Sequence, residues 1–98
     1  MSKKTWKFLV ILVLVSFISA GCYYFAAKRE MKKAEQLISE LKREGGPTLV
    51  PYEYTSAEKF LEVSNFEFKD NDFKTAKGFA TRSKSAAEAG LAEVKRKK

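Results

Sequence analysis

The stretch that decides the fold covers residues 55–94 and reads TSAEKFLEVSNFEFKDNDFKTAKGFATRSKSAAEAGLAEV. Apolar and small residues recur in it every three or four positions, which is the spacing of one face of an α-helix. The run Asp-Asn-Asp at 70–72 interrupts this spacing with residues that favour turns and helix N-caps. We therefore predict helices at about 56–70 and 73–96, with Asp72 as the N-cap of the second, packed as an antiparallel hairpin.

The segments before this hairpin also have recognisable patterns. Thr55 and Glu58 have the spacing of a capping box, so we expect the first hairpin helix to begin there. Residues 48–54 contain Pro51 and two tyrosines, and we interpret them as an extended linker that lies against the helices. Upstream, apolar residues at alternate steps of four and three predict an amphipathic helix at about 26–44, which a Gly-Gly-Pro run ends.

The predicted core comes from the apolar faces of these three helices. Its expected members are Leu37, Ile38, Leu41, Phe60, Leu61, Phe68, Phe73, Phe79, Leu91 and Val94. This set is small for an independent domain, because short chains bury a smaller fraction of their surface. We expect contacts with a partner or with a second copy to complete it.

The N-terminus has the organisation of a targeting signal. Three lysines precede an uncharged apolar run at residues 8–18, which only Ser16 interrupts. A basic start, an apolar run of about 7 to 15 residues and then small residues are typical of a signal peptide. Residues 1–22 are thus predicted to be a signal peptide or membrane anchor, and residues 23–98 a small helical domain.

The end of this signal contains a cysteine. Ser19, Ala20 and Gly21 precede Cys22, and this order resembles the lipobox of bacterial lipoproteins, although an aliphatic residue is usual where Ser19 stands. The resemblance implies cleavage before Cys22 and covalent lipid on its thiol, with acyl chains such as palmitate. Each buried methylene of such a chain contributes about 0.8 kcal/mol to membrane affinity.

A second interpretation of the same segment is a transmembrane helix that is never cleaved. Tyr23 and the four residues after it extend the apolar run, so that residues 8–27 reach the roughly 20 residues needed to span a bilayer. Trp6 and the two tyrosines at 23 and 24 would be its interface aromatics. Basic residues flank both ends, so the positive-inside rule does not fix the orientation.

Composition excludes several classes of function. The chain has 19 basic and 12 acidic residues, no histidine and one cysteine. Catalytic sites that use histidine, disulfide frameworks and zinc-finger spacings are therefore excluded, and we predict no enzyme activity, no metal site and no cofactor other than the lipid. The basic excess lies at the chain ends and not along a folded face, which argues against nucleic-acid binding.

The basic C-terminus is a candidate contact surface. Lys95, Arg96, Lys97 and Lys98 close the chain. Clusters of 4 to 8 basic residues near a membrane bind anionic head groups, and acidic envelope polymers offer similar charge. The simpler interpretation is a solvated helix end.

The predicted hairpin also carries a family resemblance. The residues that carry it are Pro51, Tyr54, Ala57, Phe60, Leu61, Asp72, Phe73, Ala76, Ala80 and Ala87. Their order resembles domain of unknown function 4398, a family of uncharacterised bacterial envelope proteins, over about residues 50–94. The resemblance implies a lipoprotein with a tetratricopeptide-like helix pair, which binds other molecules and does not catalyse.

These patterns lead to two functional hypotheses. The first is an envelope lipoprotein facing the periplasm, with the outer membrane favoured over the inner, whose hairpin is a structural or adaptor element for another envelope protein. The second is a single-pass inner-membrane subunit of a larger complex. Neither hypothesis involves a small-molecule substrate.

Overall fold

The computed structural model describes residues 2–98, except for the side chains of residues 18–20. All regular secondary structure in the described residues is helical, which confirms the predicted all-α fold and its long N-terminal helix. The four helices are α1 (Lys3–Arg43), α2 (Gly46–Leu49), α3 (Pro51–Lys69) and α4 (Phe73–Lys97).

Helix α1 is longer than the predicted amphipathic helix. The prediction of a start near residue 26 is wrong, because one continuous helix runs from Lys3 and no proline separates the apolar part from the amphipathic part. The helix begins after Ser2, whose hydroxyl accepts a hydrogen bond from the Thr5 amide. It ends at Arg43, one residue before the predicted end, and Gly45 with φ +87° then turns the chain.

The predicted extended linker at 48–54 is also wrong. Residues 46–49 form the single turn α2, and α3 begins at Pro51, five residues before the predicted start. Proline is favoured at the first helical position because its φ is already helical and its missing N–H would have no partner there. Thr55 consequently lies inside α3 and does not cap it.

The turn between α3 and α4 agrees with the prediction. Asp72 is the N-cap of α4, and its Oδ1 accepts a hydrogen bond of 3.2 Å from the Thr75 amide. Asn71 has φ +63°, a left-handed conformation that asparagine tolerates better than most residues. The helix that follows ends at Lys97, close to the predicted limit.

The centre of the packed helices consists mostly of small side chains. Its fully buried residues include Ala27, Ala34, Leu41, Ala57, Ser64, Ala76, Ala80, Ser83 and Ala87. Seven of the aromatic and leucine residues predicted for the core, such as Phe60 and Phe79, are only half-buried. Small residues bring helix backbones close together, and the larger side chains then pack along the flanks.

Two buried hydroxyl groups join α3 to α4. Ser64 Oγ donates to the Ala76 carbonyl oxygen and Ser83 Oγ donates to that of Ala57, each at 2.6 Å. Burying a hydroxyl without a partner is costly, so these bonds allow serine to occupy the centre of the packing. They also fix the relative position of the two helices at two levels, one near the turn and one about two helical turns further from it.

The packed body consists of α3, α4 and the part of α1 that follows Cys22, and it has two distinct ends. At the turn end, Tyr24 of α1 contacts Phe68 and Phe73, which flank the α3–α4 turn. At the far end, Leu41 packs with Val50 and Val94. The molecule measures 69 × 21 × 15 Å, because the N-terminal part of α1 projects beyond the turn end.

Candidate functional site

The projecting part of α1 is the most apolar exposed surface of the described chain. Every large apolar side chain from Phe8 to Phe17 is exposed. Together with its length and composition, this makes α1 a helix that could cross a membrane, and an N-terminal signal sequence has the same features. The long apolar helix is therefore compatible with a membrane anchor or a targeting signal.

Helix α1 joins the body through an aromatic cluster. The ring of Tyr24 lies 5.2 Å from that of Phe68 and 5.1 Å from that of Phe73, measured between centroids. Phe68 and Phe73 are themselves 5.0 Å apart. Lys28 and Lys77 add cations, which lie 5.2 Å from the Tyr24 ring and 5.9 Å from the Tyr23 ring respectively. The body therefore reaches the level of residues 23 and 24 along α1.

This contact limits how much of α1 is free of the body. If residues up to 27 were in hydrocarbon, the charged turn beside Tyr24 would lie in hydrocarbon too, at a cost of several kcal/mol per group. Residues 8–21 remain, and at 1.5 Å per residue they extend about 21 Å. A bilayer core is about 30 Å thick. The free apolar segment is thus short for a span but has the length of a signal-peptide core.

The predicted lipidation site lies at this boundary. Cys22 is exposed, with a free thiol, and lies five residues before Ala27, the first fully buried residue among the described side chains of α1. Gly21 has open space beside it, since an added Cβ would meet nothing within 4 Å. The side chains of Ser19 and Ala20, the rest of the predicted lipobox, lie outside the described residues.

A partly buried ion pair holds α1 against α4 about two helical turns after Cys22. Lys84 Nζ lies 2.8 Å from Glu30 Oε2, and the two side chains are 24% and 14% exposed. The hydrogen bond from Lys84 lowers the pKa of Glu30, and the bond to Glu30 raises the pKa of Lys84. Sequence analysis missed this pair, because its members are 54 positions apart and carry no local signal.

This ion pair predicts a pH dependence of stability. A carboxyl whose pKa is lowered by folding stabilises the folded state above its unfolded pKa, here 4.5, and that contribution is lost as pH falls through the folded value. We expect Glu30→Gln to lower the free energy of unfolding by about 1 kcal/mol at pH 7 and to have little effect near pH 3. Urea unfolding of the full-length protein in detergent measures both values.

The matched control is Glu35→Gln, which changes an exposed carboxylate on the same helix. We expect it to leave the free energy of unfolding unchanged at both pH values. Equal losses for the two variants, or a loss for Glu30→Gln that persists at pH 3, would show that the pair contributes no charge-dependent stability.

The basic C-terminus lies at the far end of the body. Lys97 Nζ donates to the Leu49 carbonyl oxygen at 2.8 Å, and Lys98 Nζ lies 2.7 Å from Glu44 Oε2. This bond from Lys98 lowers the pKa of Glu44. Arg96 pairs with Glu93 one turn earlier.

The position of this cluster bears on its predicted contact with anionic surfaces. Glu44 follows Tyr24 by twenty residues of helix, which is about 30 Å along the axis. That is about three Debye lengths at 0.1 M salt, too far for attraction to a membrane at the other end of α1. Contact with a different anionic surface, such as an acidic polymer, stays a prediction.

A groove with a basic rim opens near the turn end. Met31 and Phe68 contribute apolar surface to it, and its volume is about 550 Å³. Its charged lining residues are Lys28, Arg29, Lys32 and Glu35. Within residues 2–98, no three His, Cys, Asp or Glu side chains are grouped so that they could hold a metal ion.

Comparison with known proteins adds no relative. No protein family, curated protein or solved structure matches this chain. The candidate site therefore has to be interpreted from its own geometry.

Proposed function

We propose that the protein is a small bacterial cell-envelope lipoprotein, anchored by lipid on Cys22, whose helical hairpin is a non-catalytic structural or adaptor element. The observation that carries the proposal is the start of the packed body at Tyr23 and Tyr24, directly after Cys22. Cleavage before Cys22 would remove residues 1–21, which comprise the basic N-terminus and the apolar part of α1. The remaining chain would keep every interhelical contact described above.

The adaptor part of the proposal rests on the surface of α3. Tyr52 and Phe66 are 79% and 63% exposed, and Val63 lies between them on the same helix. Exposed aromatic side chains are enriched where proteins bind each other. A tetratricopeptide-like pair is shorter than the three or so repeats of a complete array, so we propose that it braces or recruits one partner in the envelope.

Intact-mass measurement of the membrane-extracted protein tests the anchor. We expect the wild type to lack residues 1–21 and to carry the added mass of acyl chains, and Cys22→Ala to keep its full length without lipid. Ser16→Ala is the matched control, because its hydroxyl bonds only to the Leu12 carbonyl of its own helix. An unmodified full-length wild type would overturn the lipoprotein. Cross-linking in the same membranes tests the adaptor, for which a discrete product with another protein is expected and monomer alone is the contrary result.

The second candidate function is a single-pass subunit of a membrane complex. It is favoured by the continuity of α1 from Lys3 to Arg43 and by Phe25, which is 72% exposed beyond the cysteine. In that case the full-length mass would be accompanied by stable co-purification with other membrane proteins in mild detergent. A full-length chain that always purifies alone would exclude this function.

A further inference from the structure

We propose that the turn end of the body binds the anionic head groups of the membrane in which the protein is anchored. This inference rests on the proposed membrane anchoring and adds an orientation and a lipid class to it. The contact surface is formed by Lys28 and Arg29 of α1 together with Lys69, Lys74 and Lys77, which flank the α3–α4 turn.

The first support is an uneven distribution of charge along the body. The half nearer the turn end, residues 23–33 and 61–84, contains nine basic and five acidic residues. The far half, residues 34–60 and 85–98, contains seven of each, although it includes the basic C-terminus. The net charge is therefore +4 in one half and zero in the other, and the positive half is the one next to the apolar helix.

The acidic residues of the positive half are mostly engaged within the protein. Glu30 pairs with Lys84, Glu62 pairs with Lys59, and Asp72 caps α4. Glu67 and Asp70 are the two without such a role in the contacts described above. The basic side chains of this half outnumber these two carboxylates, so they are available to bind an external anion.

The second support is the level of these cations along α1. Lys77 lies beside the Tyr23 ring and Lys28 beside the Tyr24 ring, directly below the free apolar segment. Tyrosine and lysine both keep an apolar body in contact with hydrocarbon while their polar tips reach the head groups. Because Phe25 is also exposed here, this end has the aromatic and basic composition of a membrane interface.

Of the two basic clusters, only the one at the turn end lies close enough to the anchored part of α1 to reach the membrane surface. The far-end cluster is about 30 Å from Tyr24 and lies outside the reach of a surface potential that falls off within a Debye length. The cations near Tyr24 are within that reach in either form of anchoring, lipid on Cys22 or a retained helix. The orientation of the body therefore follows from where its charge lies along α1.

Lysine acetylation followed by mass spectrometry tests the contact. The full-length protein is reconstituted into vesicles of phosphatidylcholine alone or with phosphatidylglycerol added. The acetylation rate of each lysine is then compared between the two kinds of vesicle. We expect acetylation of Lys69, Lys74 and Lys77 to slow roughly fivefold in the anionic vesicles. Lys59 and Lys95, at a distance from the turn, should react at the same rate in both. High salt should remove the difference.

Variants of the full-length protein sharpen this test. We expect acetylation of Lys28 to slow in the anionic vesicles as well. Replacing Lys69, Lys74 and Lys77 by Gln should abolish this protection of Lys28, while Gln at Lys59, Lys95 and Arg96 should preserve it. Equal acetylation rates in the two kinds of vesicle would overturn the inference, and so would protection of Lys95 equal to that of Lys74. Flotation with the vesicles reports anchoring separately: a protein that floats but shows no protection contradicts the orientation alone, whereas one that does not float contradicts the proposed function.

Discussion

Replacing Leu41 by alanine is expected to lower the free energy of unfolding of the helical body by about 3 kcal/mol. Leu41 is fully buried, and it packs with Val50 and Val94 at the far end. It also fills the space that two glycines leave, since a Cβ on Gly90 would lie 2.8 Å from its Cδ2 and one on Gly46 would lie 2.6 Å from its Cγ. Truncation therefore removes contacts with three segments of chain at once. Urea unfolding of the full-length protein in detergent, followed by circular dichroism, gives the value.

The control for this substitution is Val63→Ala, which truncates an aliphatic side chain that is 38% exposed on α3. We expect it to cost less than about 1 kcal/mol, because more than a third of this side chain stays in contact with water in the folded state. Combining Leu41→Ala with Gly90→Ala should recover part of the loss, since the added methyl group enters the vacated space. A Leu41→Ala variant as stable as Val63→Ala would mean that the far end is not packed as described.

The sequence was most informative where small residues recur on one helix face. In α4, Ala76, Ala80 and Ser83 follow one another at steps of four and three, and all three are fully buried. The turn before it was equally readable, because an aspartate N-cap is a local signal that needs no knowledge of the rest of the fold. Local rules of capping and periodicity were thus sufficient for α4 and its start.

The prediction failed where local signals competed. Thr55 and Glu58 have the spacing of a capping box, but Pro51 lies four residues earlier and begins the helix first. Val50 was assigned to a linker, whereas it is 2% exposed because α2 turns it towards Leu41 and Val94. Periodicity also ranked large side chains above alanine as core residues. The close approach of three helices reverses that order, and this approach is a property of the tertiary packing.

The candidate site also has one part that local sequence signals indicate and another that depends on tertiary contacts. Cys22 and the apolar run before it could be recognised from order and spacing alone. The level at which the body meets α1 could not, because it depends on Tyr24 contacting Phe68 and Phe73, more than forty positions away. That contact limits the free apolar segment to residues 8–21.

Replacing Ala87 by leucine is expected to destabilise the body by about 2 kcal/mol or more, through overpacking. Ala87 is fully buried on α4 and packs in one cluster with Ile38 of α1 and Ala57 of α3. Three additional carbon atoms have no space there unless the helices move apart. Such a movement would also lengthen the hydrogen bond from Ser83 to the Ala57 carbonyl oxygen, now 2.6 Å. Thermal unfolding in detergent measures the effect. Circular dichroism at low temperature should show a helix content close to that of the wild type.

The same substitution two residues later is the matched control. Ala89 lies on the exposed face of α4, and leucine is nearly as good a helix former as alanine, so Ala89→Leu should change the stability by less than about 0.5 kcal/mol. The contrast between the two variants isolates packing from helix propensity, because residue type, helix and sequence neighbourhood are shared. If Ala87→Leu were as stable as Ala89→Leu, α4 would have space beside Ala87, and small side chains could not be the reason that the three helices approach so closely. If only Ala87→Leu unfolds, the alanines of α4 are what sets that approach, and with it the level at which the turn meets Tyr24.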